Sequence, residues 1–370
     1  MKFFVIIFLS VMTLLTLLIS RRFVRKLHFS NKIKLYINIF LVVNLLGIVG
    51  YMYARYNPIM PNWAYFLLSI PIGIIFLLFV ATIIYELASR ILEKTTINSQ
   101  RRDFFKKSFD IGSVLVATSV NAKAMYNAKH VELEKIKVKI KKLKKPYSIV
   151  QLSDVHIGGL IDQKFIKNLV QRVNELNPDL IVITGDLVDT NIKYAKDALN
   201  KLKNLKSTYG SYFIVGNHEY FHGVESIIKY VNTLNIKTLE NENIYIGEKN
   251  EGFFLAGVYD VMGYRMEAYK PDLNKALKNT QNNPIILLAH QPRFINEIDK
   301  KVDLILSGHT HGGQIAPFNL LVRLQQPYIK GLHQHNEDTQ IYVNKGTGFW
   351  GPPMRLGASS EITYISLLPA

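Results

Sequence analysis

Five short clusters in the second half of this chain carry residue types that hold metal ions. They are Asp154-Val155-His156, Gly185-Asp186-Leu187-Val188-Asp189, Gly216-Asn217-His218-Glu219, a lone His290, and Gly308-His309-Thr310-His311-Gly312-Gly313. Asp154 and His156 are two apart, and so are His309 and His311. In extended backbone, residues at that spacing point the same way, so each pair can grip one ion. Asp186 has two oxygens with which to bridge two ions, Asn217 offers a neutral carbonyl oxygen, and His290 an imidazole nitrogen. This mixture of carboxylate, amide and imidazole suits Mn²⁺, Fe²⁺ or Zn²⁺ better than soft copper or all-oxygen calcium. Taken singly, the clusters have ordinary explanations: Gly-Asp after a strand is often a turn, and a lone His is often structural. The ordered set of five is what points to a site.

Each cluster needs an element to carry it, and each follows an apolar run. Residues 148–153, 180–184, 212–215, 285–289 and 304–307 read as buried strands, while 165–177, 193–205 and 224–234 have helical periodicity. The pattern is that of an α/β domain without the glycine signatures of dinucleotide or P-loop sites. The C-terminal ends of strands in such a domain open onto the crevice where ligands bind, so five separate loops can converge there.

With D-x-H, G-D-x-x-D, G-N-H-E, a strand-end His and G-H-T-H in this order, the chain resembles the calcineurin-like metallophosphoesterases over about residues 132–368. Lys345-Gly346-Thr347-Gly348, Pro352-Pro353-Met354-Arg355 and Glu361-Ile362 further resemble its membrane-associated bacterial branch, whose members can carry a twin-arginine-like signal. The resemblance implies a four-layer β-sandwich flanked by helices and two divalent metal ions as cofactors. One ion would take Asp154, His156, Asp186 and His311, and the other Asp186, Asn217, His290 and His309. His218 is implied as the catalytic imidazole. Two such ions can hold a hydroxide for in-line attack on phosphorus and bind the phosphoryl oxygens. Whether Asp154 also fixes the His218 ring is a matter of geometry. His222 is open to two places, the site or a loop, and the loop is expected. His333 and His335 mimic a ligand pair, but the implied site is already full, so a surface position is expected. Arg355, flanked by glycines and prolines, is a candidate substrate-phosphate contact.

The 370 residues contain no Cys, which excludes a disulfide scaffold, a thiol nucleophile and Cys-ligated metal. The formal net charge of +17 divides into +11 over residues 1–126, +6 over 127–145 and zero over 146–370. A nucleic-acid-binding protein would carry its charge on the folded domain, so no nucleic-acid partner is expected. The distribution instead suits a membrane region of 1–126, a Lys-rich linker with a first strand at 127–145, and a neutral catalytic domain at 146–370.

Residues 3–20, 35–54 and 56–85 contain no charge over a length that can cross a bilayer. The third run holds Pro58, Pro61 and Pro71; its helix is placed near 63–86 with Pro71 as a tolerated kink. Trp63, Tyr65, Tyr51 and Tyr53 are expected at one interface. The first run lacks a small-x-small cleavage site, so it is expected to stay as a span. Arg and Lys crowd the loops after the first and third spans, including Lys94, and only Arg55 lies between the second and third. That bias puts the N-terminus outside. Residues 111–122 are apolar over too short a length for a confident fourth span. They follow Arg101-Arg102-Asp103-Phe104-Phe105-Lys106 and end in Asn121-Ala122-Lys123-Ala124. This is either a twin-arginine-like export segment or plain cytoplasmic positive charge. Export is the expectation, with the catalytic domain outside the cytoplasm of a bacterial cell membrane protein.

Lys135-Ile136-Lys137-Val138-Lys139-Ile140-Lys141 alternates with period two, giving a strand with one cationic face. The lysines serve either as a guard on an edge strand or as contacts to anionic headgroups. The expected function is hydrolysis of a phosphoester, lipid-linked or from the cell envelope, with the lipid membrane and that substrate as partners. A competing enzyme would be a pyrophosphatase for a nucleotide-linked lipid precursor on the cytoplasmic face. A competing class is a non-catalytic scaffold or sensor that keeps a metal-bound fold.

Overall fold

The computed structural model describes residues 2–55, 60–93, 99–280 and 283–370, except the side chains of 2–4, 92–93 and 99–103. Pro58, Lys94 and the side chains of Arg101, Arg102 and Asp103 therefore lie outside the described residues. The chain forms two compact units, Met1–Tyr126 with Gly351–Met354, and Asn127–Trp350 with Arg355–Ala370.

The first unit consists of long helices: α1 (Lys2–Arg22), α2 (Asn31–Ala54), α3 (Asn62–Glu93) and α4 (Ser99–Lys129), the last crossing into the second unit. Among the described residues, Val5–Lys26, Asn31–Ala54 and Asn62–Ile91 are long and apolar enough to cross a membrane. Pro71 lies inside α3. Of the four aromatic residues expected at an interface, Tyr51 and Tyr65 are buried, and the Tyr65 hydroxyl donates to the Ala54 carbonyl. Trp63 and Tyr53 are exposed. The weakly apolar 111–122 segment is part of one continuous helix, α4. Its buried Asp110 accepts a hydrogen bond from the Tyr85 hydroxyl at 2.7 Å and one from the His28 backbone N–H at 2.6 Å. A carboxylate so deeply placed needs such donors.

The second unit is a sandwich of two sheets. β1 (Val131–Ile140), β2 (Tyr147–Leu152), β3 (Leu180–Thr184), β4 (Ser211–Ile214) and β5 (Ile236–Thr238) join β12 (Ser360–Pro369) in the order β1-β12-β2-β3-β4-β5. The other sheet has the order β10-β11-β9-β8-β7-β6, built from β6 (Glu242–Ile246), β7 (Phe253–Gly257), β8 (Ile285–Leu288), β9 (Leu304–Ser307), β10 (Gly331–Gln334) and β11 (Gln340–Val343). Alternation along the strands sets the layers. Leu180 and Val182 face Leu288, Leu304 and Leu306 in the core between the sheets. Ile181 and Ile183 face the opposite way, onto α5 (Gln163–Glu175), α6 (Ile192–Leu202) and α8 (Val224–Asn232). Ile285 and Leu287 face outward from the second sheet, toward Leu273, Ala276, Phe294 and Ile295. The result is the helix, sheet, sheet, helix order of the expected fold. The Lys-rich segment is the edge strand β1, with Lys135, Lys137 and Lys139 exposed and Val138 and Ile140 buried.

β2, β3 and β4 run parallel in one sheet, and β8 and β9 run parallel in the other. The loops that leave their C-terminal ends carry the five polar clusters.

Candidate metal centre

The loops are tied to one another before any side chain is considered. The Asp154 backbone N–H donates to the Gly185 carbonyl and that of His156 to the Asp186 carbonyl, both at 3.0 Å. The Gly308 N–H donates to the His290 carbonyl at 2.9 Å. Glu219, at the start of α7 (Asn217–His222), has no exposure. Its carboxylate accepts from the backbone N–H groups of Asp186, Val188 and Gly216 at 3.0, 3.0 and 2.7 Å. Burial and the Asp186 charge push its pKa up to about 8, against the pull of those N–H groups.

The backbone itself is bent to aim the donors. Asp154, His156, Asp186, His309 and His311 all have φ between 50° and 70°. A non-glycine residue in that region is strained, and such residues persist where surrounding contacts over-determine them, often at functional sites. Gly308 meets the converse demand: a Cβ there would lie 2.3 Å from Asp154 Oδ2.

This brings the expected ligands together as two adjoining groups, but His309 and His311, whose spacing suggested a pair on one ion, are in left-handed rather than extended backbone and fall one in each group. In one, Asp154, His156 and His311 place donor atoms within 4.8 Å of one another; in the other, Asp186, His290 and His309 do so. The Nε2 atoms of His156 and His311 face each other at 3.0 Å, and His311 Nε2 is 3.5 Å from Asp154 Oδ1. Asp186 Oδ2 lies 3.3 Å from His290 Nε2 and 3.9 Å from His156 Nε2, so one carboxylate touches both groups. Asn217 Oδ1 is 3.1 Å from His290 Nε2.

The donor chemistry fits divalent cations. Burial lowers the pKa of His156 and His309 to about 3 and drives that of His311 well down, the last with help from the Arg355 charge. These rings are therefore neutral, with lone pairs available. Desolvation raises Asp154 to about 6. For Asp186 desolvation works against the charge, but His290 and His218 outweigh it and hold the carboxylate well below its usual range. His290 moves the other way: desolvation opposes its charge, and Asp186 draws its pKa well up. A cation bound between that pair would take the place of the imidazole proton.

His218 stands at the edge of both groups, its Nε2 3.9 Å from Asp186 Oδ2 and its ring 4.6 Å from that of His156. Its Nδ1 lies 2.7 Å from Asp189 Oδ1, so the carboxylate that fixes the ring is Asp189 rather than Asp154. His222 also reaches Asp189, at 3.3 Å from Nε2, and so joins the margin of the site. Asp189 was visible in the sequence as the second acid of G-D-x-x-D, but its partner was not. His333, on β10, and His335, just past its end, belong to neither group and are bonded to the Lys330 carbonyl and the Tyr328 hydroxyl.

Arg355 is not a surface contact for phosphate. It has no exposure, and its guanidinium donates to the carbonyls of Lys345, Gly346, Gly348 and His311. Nη2 also lies 3.0 Å from His311 Nδ1. The carbonyls that hold this buried cation come from His311, the Lys345–Gly348 segment and Ala358, not from the Pro- and Gly-rich residues that flank it in the chain.

Residues 147–313 match the family model described as calcineurin-like phosphoesterase. The chain is 39% identical over 329 residues to an uncharacterized metallophosphoesterase of Helicobacter pylori, covering 88% of each protein. It is 36% identical over 375 residues to an uncharacterized metallophosphoesterase of Campylobacter jejuni, covering 98% of each. A transmembrane protein with metallophosphoesterase domain from Danio rerio is 39% identical over 232 residues, 60% of this chain and 53% of that one.

Proposed function

Because the chain belongs to the calcineurin-like metallophosphoesterases, we propose that it is a membrane-anchored phosphoesterase working with two divalent ions. The observation that carries this is the contact of Asp186 with both donor groups, at 3.3 Å to His290 and 3.9 Å to His156. Asp154, His156, Asp186 and His311 would hold one ion, and Asp186, Asn217, His290 and His309 the other. When bound, such ions supply Lewis-acid polarisation of the phosphoryl oxygens and lower the pKa of water at neutral pH.

The chain's own part is positioning and proton transfer. Asp189 accepts the Nδ1 proton of His218 and leaves Nε2 to face the reacting phosphoester. From there His218, as the imidazolium that the Asp189 carboxylate favours, would give its Nε2 proton to the departing oxygen. Glu219 keeps the Asp186 and Asn217 loops in register, and Arg355 braces the ring of His311.

The substrate we propose is membrane-associated: a phospholipid, a lipid-linked phosphate or an envelope polymer. Three helices of spanning length and the exposed lysines of β1 support this. The loop charges support a cell-membrane location with the N-terminus outside, and the twin-arginine-like segment supports export of the catalytic domain from the cytoplasm. The test of activity is hydrolysis of an aryl phosphodiester by the purified chain. It should depend on added Mn²⁺, Fe²⁺ or Zn²⁺ and vanish in Asp186→Asn. Metal binding without hydrolysis of any phosphoester would favour the scaffold instead. A reporter fused after residue 370 that is active only in the cytoplasm would refute the proposed side.

A further inference from the structure

Two exposed aromatic rings flank the imidazole of His218, and neither serves the apolar core. Phe221 is 57% exposed and its ring centroid lies 6.1 Å from that of His218; Trp350 is 38% exposed and lies at 6.0 Å. Both meet the imidazole edge-to-face, at 86° and 74°.

Both rings are held in place. Phe221 follows His218 by three residues on α7, one turn along the same helix. Trp350 ends a segment laced to the Asp154 loop: the Thr347 N–H donates to the Ser153 carbonyl at 2.7 Å, and the Gly348 N–H to the Asp154 carbonyl at 3.1 Å. Gln314, three residues after His311, then clamps the Trp350 backbone from both sides. Its Oε1 accepts from the Trp350 N–H at 3.0 Å, and its Nε2 donates to the Trp350 carbonyl at 2.8 Å. An indole left this exposed would not need such fixing to serve solubility. Fixing it does matter if something must pack on it in a set geometry.

We propose that Phe221 and Trp350 form an apolar subsite for the alcohol that leaves during hydrolysis, which makes phosphoesters of aryl or long-alkyl alcohols the preferred substrates. This rests on the phosphoesterase reading and on His218 as proton donor. In the step concerned, a bond forms between water oxygen and phosphorus and the ester P–O bond breaks. The leaving oxygen takes the Nε2 proton of the His218 imidazolium, one water proton stays on the new phosphate oxygen, and the other passes to solvent, from which His218 regains its proton. The alcohol therefore emerges against the imidazole, where the two rings stand. Aromatic faces accept flat or extended apolar groups alike, and a small alcohol such as ethanol reaches neither ring.

The test uses the full chain in lipid nanodiscs with added Mn²⁺ and three methyl phosphodiesters, of ethanol, octanol and 2-phenylethanol. Release of each named alcohol is followed by chromatography. Octanol, 2-phenylethanol or both should be released with kcat/KM about 10-fold above ethanol. Octanol ahead of 2-phenylethanol identifies an alkyl-chain substrate, and the reverse order an aryl one. In Phe221→Ser/Trp350→Ser the selectivity ratio should fall to about 1. Equal release of all three alcohols by the wild-type chain would overturn the subsite without recourse to any variant. A double variant that slows all three in proportion would assign the rings a structural part and overturn it too. Hydrolysis of none of the three would remove the phosphodiesterase activity itself, and the subsite with it.

Discussion

The Nδ1 of His218 and the Oδ1 of Asp189 stand 2.7 Å apart, across 29 residues of chain. This pairing fixes the ring so that Nε2 faces the donor cluster. Asp189→Asn should lower kcat about 10²-fold with bound metal unchanged, and His218→Ala should lower it by about 10²–10⁴-fold. Steady-state kinetics with metal analysis on the same samples checks both. Loss of metal from His218→Ala would make His218 a ligand instead.

Glu219 ties the Asp186 and Asn217 loops through three backbone N–H groups while fully buried. Replacement by Gln turns one acceptor into a donor that faces N–H groups. Glu219→Gln should cost roughly 3 kcal/mol of domain stability and weaken metal binding, read as a lower thermal midpoint with and without Mn²⁺. An unchanged midpoint would show that the brace contributes nothing.

Tyr342 is buried with its hydroxyl 2.8 Å from Glu361 Oε1, and burial, then the Glu361 charge, raises the pKa of the phenol. The raised group keeps its proton in the fold at a pH where the unfolded chain loses it, near ~10. The contribution of Tyr342 to stability should therefore be flat below about pH 10 and fall above it, by up to about 1.4 kcal/mol per pH unit for each such phenol. Denaturant midpoints measured from pH 9 to 12 should fall less steeply in Tyr342→Phe. An identical slope would mean that Tyr342 is not the group titrating.

Much of this architecture was legible because the chemistry follows the strands. The runs at 180–184 and 304–307 were read with the bounds of β3 and β9, and the polar clusters behind the apolar runs do converge. Non-local pairings were not legible. Nothing in the spacing of Asp189 says that it meets His218 rather than leaving that part to Asp154. Arg355 looked like a phosphate contact because its neighbours suggested a loop, yet carbonyls from five residues enclose it. Residues 111–122 read as too short an apolar run for a confident span, and α4 is not among the described helices of spanning character; what the run did not show is that the helix is continuous over Ser99–Lys129, with Asp110 satisfied by Tyr85 and His28. The short strands β5, β10 and β11 gave no pattern long enough to stand out from loops.

Binding of a cation to the folded chain alone stabilises it by an amount that grows with the logarithm of free ion over Kd, about 2.7 kcal/mol at a hundred times Kd. Chelation should therefore lower the thermal midpoint of the wild-type chain, and Mn²⁺ should restore it. A midpoint indifferent to chelator and to added Mn²⁺, Fe²⁺ or Zn²⁺ would speak against a resident ion.

The most direct measurement is the metal stoichiometry of the purified full-length chain, by equilibrium dialysis against Mn²⁺ with elemental analysis. Two ions per chain are expected for the wild type and at most one for Asp186→Asn. A wild-type chain that binds no ion, or an Asp186→Asn chain that still binds two, would contradict a paired site bridged by Asp186.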